Sequence, residues 1–148
     1  MSGAALAVPL ALVAGIAGAM QVPIQGELGE RIGAFGALAI STLISAVLSA
    51  TILLAVRGGF GAYGDALRQP LWLLTGGAMG VIVVLAITIG APRIGTAATI
   101  GLLIAGQLGM GAVVDRFGLL GLERIPIGWP RLLGIVLLAV GAALSLKK

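Results

Sequence analysis

Apolar residues in this chain come in long unbroken blocks, with neither the alternation of a half-buried strand nor the single apolar stripe of a soluble surface helix. The clearest block is Thr96 to Val114, 19 residues without a charge. At 1.5 Å per residue it comes close to the ~20 residues needed to cross a ~30 Å hydrocarbon core, so it predicts a membrane span. An earlier block begins at Gly3, carries no charge before Glu27, and continues through Gln21-Val22-Pro23-Ile24-Gln25 to about Leu28. It has no basic leading segment and is longer than the apolar core of a cleaved signal peptide, so it too predicts a span.

Three further blocks complete the pattern: 32–56, 71–90 and 131–146. Pro70 suits the first turn of the third span and Trp72 its aromatic belt, while Trp129 and Pro130 open the fifth. The expected chain is a single transmembrane domain of five helices over 3–28, 32–56, 71–90, 96–114 and 131–146. Residues 26–33, with Glu27, Glu30 and Arg31, read as a short connection. Residues 57–70 read as a glycine-rich loop with a short interfacial helical turn around Tyr63 to Leu67. Residues 91–95 read as a five-residue turn, which makes spans three and four antiparallel neighbours. Asp115 to Pro130 reads as the last loop, and Lys147 and Lys148 as basic side chains that snorkel to the interface.

Composition changes the picture only by closing alternatives. The chain is 59% hydrophobic and 9% charged, with mean hydropathy +1.19, where soluble domains carry about 25% charged residues. The fold class is therefore an all-α integral membrane protein. The sequence pI of about 10.8 suggests nucleic acid, yet the basic residues stand singly between apolar blocks and make no basic face. With no Cys and no His, disulfides, thiolate chemistry and the commonest metal ligand are absent from the sequence. No nucleophile–base pair or metal cluster stands out, so neither an enzyme, a cofactor nor a bound metal is expected. The glycines of 58–64 lack the pattern and context of a phosphate-binding loop.

The polar residues inside the blocks are the candidate site. Gln107 sits near the middle of span four, where an unpaired amide costs several kcal/mol and must face protein or a water-filled cavity. Gln21 and Gln25, four apart, share one face of span one, with Pro23 freeing a carbonyl between them. Ser41, Ser45 and Ser49 line one side of span two, and Gly76, Gly77 and Gly80 form a small-residue face on span three. Gly101 does the same on span four. These positions suit helix packing. Gln21 and Gln107 each lie about two-thirds along spans of opposite direction, so within one copy they are expected at different depths. Turning a second copy over would bring its Gln21 and Gln25 to the depth of Gln107.

Charge supports that second copy. One side of the membrane would hold Arg57, Arg68, Arg116, Arg124 and Arg131, the other Arg31, Arg93, Lys147 and Lys148. Orientation follows the excess of Lys and Arg, and five against four gives almost no instruction. An odd number of spans inserted both ways yields an antiparallel homodimer of ten spans, the inverted-repeat design of many transporters.

Gln21-Val22-Pro23-Ile24-Gln25, the run from Glu27 to Gly33, Ala91-Pro92-Arg93-Ile94-Gly95, Ala105-Gly106-Gln107-Leu108, Asp115-Arg116-Phe117-Gly118 and Arg131-Leu132-Leu133-Gly134 resemble, in the same order, the small five-span, YdcZ-type family of the drug/metabolite transporter superfamily. The resemblance implies a half-size transporter of the bacterial inner membrane, working as a dual-topology homodimer, an oppositely oriented pair or a fused tandem. Gln21 and Gln107 match family motifs, as do Asp115, Gly118, Gly121, Arg131 and Gly134; Gln25 stands where the family has Asn.

No carboxylate lies within a span, which disfavours a buried proton-exchanging site for lipophilic cations. A small neutral polar metabolite suits the three glutamines better. Glu27, Asp115 and Arg131, at the span ends, are the candidates for coupling or gating. The competing classes are a channel-like pore, which would show flux without saturation, and a non-transporting assembly subunit, which would purify with one large partner.

Overall fold

The computed structural model describes residues 3–146, with side chains from residue 5 onward. Its elements are helices: α1 (Gly3–Ile32), α2 (Ala34–Arg57), α3 (Gly61–Leu67), α4 (Leu71–Ile94), α5 (Thr96–Phe117) and α6 (Trp129–Ser145), with a 3₁₀ turn at Leu119–Gly121 before α6. Four of them, α1, α2, α4 and α5, are long and apolar enough to cross a membrane. The fifth expected span is α6, whose 17 residues reach about 25 Å, near the lower limit for crossing. Lys147 and Lys148 lie outside the described residues.

The connections expected at 26–33 and 91–95 are not loops. Helix α1 runs through Glu27, Glu30 and Arg31 to Ile32, and α4 runs through Pro92 and Arg93 to Ile94. Each is followed by one non-helical residue, Gly33 (φ 82°, ψ 151°) or Gly95 (φ 86°, ψ 155°), and the next helix starts at once. That backbone region is open essentially to glycine alone. Charge does not end a helix at a membrane surface; Arg31 Nε instead donates to Glu27 Oε1 at 2.8 Å, an i,i+4 pair that favours the helix. At the other helix ends, Gly58 (φ 69°) and Gly118 (φ 62°) adopt the left-handed cap and donate to Leu54 O and Val114 O, as C-terminal glycines commonly do. Span four thus extends three residues past Val114 to Phe117, taking Asp115 and Arg116 into its last turn. The turn expected near Tyr63 is α3.

The chain forms two compact units. Within Pro23–Ile89, the α1–α2 corner packs around Ala37, which is fully buried, and Ile87 is buried as well. A Cβ on Gly29 would lie 2.5 Å from Thr88 Cγ2, so α1 and α4 meet there only because position 29 has no side chain. In the unit made of residues 3–22 and 90–146, the main pairing is α5 against α6. A Cβ on Gly101 would lie 2.9 Å from Ala142 Cβ. Val22, Ala91, Ala98, Ala112 and Ala142 complete the buried apolar residues. Lipid provides no hydrophobic force between helices, so association rests on small residues that let backbones approach.

Candidate functional site

Pro23–Ile89 buries one amide. Gln25 is 4% exposed on the face of α1 that also carries Gly29 one turn later. Ser41 Oγ, eight residues past Gly33 on α2, lies 2.6 Å from Gln25 Oε1 and 2.5 Å from Ala37 O, bonded to both. One hydroxyl proton cannot serve two acceptors at full strength. Turning the amide over resolves the conflict: Nε2 donates to Ser41 Oγ, and Ser41 donates to Ala37 O. With Oε1 toward Ser41, the buried Nε2 has no hydrogen-bond partner among the described residues. Such a group costs about 1–3 kcal/mol unless something outside the chain meets it. Thr88, 2% exposed, donates to Val84 O at 2.7 Å and adds a second polar side chain to this unit's interior.

The other two candidate glutamines have no such shelter. Gln21 and Gln107 are exposed and form no side-chain hydrogen bond among the described residues. Each lies twelve residues from the glycine that closes its hairpin, Gly33 or Gly95, about 18 Å along the helix axis. Each is therefore near the middle of its helix. Span one, expected to end at about Leu28, continues four residues further to Ile32.

Asp115 does different work. Its carboxylate pairs with Arg131, and its carbonyl accepts from the Ile125 N–H at 2.9 Å. It thereby fastens the end of α5 to the returning loop and to the first turn of α6. Glu27 pairs with Arg31 on its own helix, in solvent. Ser45 and Ser49 donate to Ser41 O and Ala46 O of their own helix, so Ser41 alone of the three reaches across to another helix. Gly76 and Gly80 have no heavy atom within reach of an added Cβ; that face of α4 is open within the chain, whereas Gly101 sits in tight contact.

The sequence reading missed Gly29 and Thr88. Thr88 was findable, as a hydroxyl inside a charge-free block. Gly29 was not, because its meaning lies in what it touches. Among the described residues no three His, Cys, Asp or Glu side chains gather to hold a metal, and the arrangement offers hydrogen bonds.

A chain of long apolar helices, whose buried polar side chains among the described residues are Gln25, Thr88 and Thr99, is a multi-pass membrane protein with a hydrogen-bonding interior. Residues 6–144 match the family described as "Putative inner membrane exporter, YdcZ", and the chain belongs to that family. It is 33% identical over 114 residues to Inner membrane protein YdcZ of Escherichia coli (strain K12), covering 76% of this chain and 74% of that protein. No solved structure matches it. It is a multi-pass protein of the inner membrane.

Proposed function

We propose that this chain is half of a small-metabolite exporter. Two copies inserted in opposite orientations form a ten-helix antiparallel homodimer, which moves a small polar solute by alternating access. The observation that carries this reading is Gln107: an amide in the middle of a 22-residue apolar helix, exposed and without a hydrogen-bond partner among the described residues. Lipid cannot satisfy it, so a second copy or a wet cavity between copies must. Residues near mid-helix return to the same depth when a copy is inverted, so Gln21 and Gln107 of both copies would ring one central site. The free end of the Gln25 amide supplies a further hydrogen bond, and the open Gly76–Gly80 face of α4 allows close approach of the partner. The description of the family as an exporter supports transport outward across the inner membrane.

The absence of native cysteine makes the test direct. A single cysteine is placed at Ala62 in α3, and in a separate protein at Ser145 at the end of α6. Intact cells are then labelled with a membrane-impermeant maleimide before and after lysis. Dual topology predicts that about half of each population is labelled from outside, as near-balanced flanking charges imply. All-or-none labelling would overturn the homodimer and redirect the search to an oppositely oriented partner. Gln107→Ala in a folded protein should abolish transport; intact transport would remove Gln107 from the site.

A further inference from the structure

The turn between α5 and α6 is more built than a connection needs to be. Gly118, Leu120 and Gly121 all have positive φ, of 62°, 62° and 80°, and they fold the chain back until Ile125 N–H reaches Asp115 O. The fold lays the stem of Arg124 directly on Gly118, where a Cβ would stand 2.7 Å from Arg124 Cγ and 2.9 Å from Leu122 O. A left-handed, non-glycine Leu120 is uncommon and strained, so the turn holds this shape at a cost. Its product is a pocket of about 390 Å³ lined by Arg116, Phe117, Arg124 and Pro126.

The electrostatics of that pocket are unbalanced. Of the three arginines in and around this turn, Arg131 is paired with Asp115. Arg116 and Arg124 form no ion pair or hydrogen bond among the described residues, although Asp115 and Glu123 are their chain neighbours. Two arginines thus line one concavity, together with a phenylalanine and a proline. Guanidinium presents a planar fork of donors that matches phosphate oxygens. The pocket also stands at the end of a membrane-crossing helix, at the level where basic pockets meet anionic headgroups.

We propose that Arg116 and Arg124 form an anion site for a phosphate ester at the membrane interface, with Phe117 and Pro126 packing on the ester's organic part. The shared chemistry fits a lipid phosphodiester and a soluble phosphomonoester alike, and the test separates them. The site is independent of the glutamines and of the dimer.

The purified full chain is titrated with dioleoylphosphatidylglycerol, with dioleoylphosphatidylcholine as the zwitterionic comparison, and bound lipid is read by native mass spectrometry. A parallel calorimetric titration uses sn-glycerol 3-phosphate. Three proteins are compared: the wild type, Arg116→Gln/Arg124→Gln, and the charge-matched Arg57→Gln/Arg68→Gln. The pocket variant should bind its ligand about tenfold or more weakly, and the control should stay near wild type, since two charge-assisted contacts are lost in one and none in the other. A selective loss for phosphatidylglycerol identifies the lipid headgroup, and one for glycerol 3-phosphate a soluble anion. Equal binding by all three proteins, or an equal loss in both variants, overturns the site. Should the pocket variant fail to fold by size exclusion, Gly118→Ala keeps both charges and displaces Arg124, and it must show the same selective loss.

Discussion

The hairpin between α1 and α2 and the hairpin between α4 and α5 turn on the same three residues, Arg31-Ile32-Gly33 and Arg93-Ile94-Gly95. Both glycines have the same backbone conformation, and four residues later both hairpins bury a side chain, Ala37 or Thr99, whose N–H donates to the corner glycine carbonyl. Eight residues before the corner each buries another, and here they part: Gln25 in the first, Ile87 in the second. Eight residues after it, Ser41 stands in the first and Leu103 in the second. The same corner is thus made with and without an amide–hydroxyl pair. Turning the chain does not require Gln25, and a half-satisfied buried amide lowers stability. The difference supports the ligand role proposed for Gln25.

The comparison breaks most visibly at the corners themselves. Gly33→Ala and Gly95→Ala should each destabilise the protein by about 1–3 kcal/mol, the cost of holding a side chain in that backbone region. No neighbouring atom would touch either added Cβ, so the effect is purely conformational and should be alike at both sites. Thermal unfolding in detergent measures it. A large loss at one corner and none at the other would show that the two are not equivalent.

These corners also mark the limit of what the sequence discloses. The spans were legible because a charge-free block of about 20 residues has few other uses. The connections were not, because Glu27, Glu30 and Arg31 look like loop residues, whereas the break is one glycine wide. The repeated Arg-Ile-Gly stands openly in the sequence, but it gains meaning only when both copies prove to be single-residue corners. Gln25 and Ser41 were each readable as polar residues in an apolar setting; their pairing depends on both lying eight residues from Gly33. The Arg116–Arg124 pocket depends on three positive φ angles in one turn, which residue types alone do not specify.

Next in size come the positions where the hairpins differ. Ile87→Gln should destabilise by about 1–3 kcal/mol, because it puts an amide in place of a buried apolar side chain of the 23–89 unit. Ser41→Ala should cost roughly 1 kcal/mol, the value of a buried hydrogen bond whose partner is left behind. Gln25→Leu with Ser41→Ala removes both partners and should be near neutral or stabilising. Transport by that double variant should nevertheless be lost. If stability falls with transport, Gln25 holds helices together and its contrast with Ile87 is structural.

A smaller contrast separates the glycines. Gly101→Ala meets Ala142 at 2.9 Å and should cost about 1 kcal/mol or somewhat more through overpacking. Gly76→Ala, with open space around it, should gain a few tenths of a kcal/mol from helix propensity in the single chain. A loss at Gly76 comparable to that at Gly101 would reveal a surface on α4 that a second copy covers.

The smallest effect is expected where the corners differ in charge. Glu27 and Arg31 precede Gly33, whereas Ile89 precedes Arg93 at the equivalent place. The Glu27–Arg31 pair is 2.8 Å long, but its side chains are 57% and 73% exposed, so solvent screens it. Glu27→Gln should therefore change stability by no more than about 0.5 kcal/mol, and less at high salt. That small structural effect makes Glu27 a clean probe of coupling. If export is driven by a proton gradient through this carboxylate, Glu27→Gln uncouples it while the melting temperature stays put. Unchanged gradient dependence assigns Glu27 to the helix end alone, and the coupling group must then be sought at Asp115, where loss of the Arg131 pair would also loosen the α5–α6 turn.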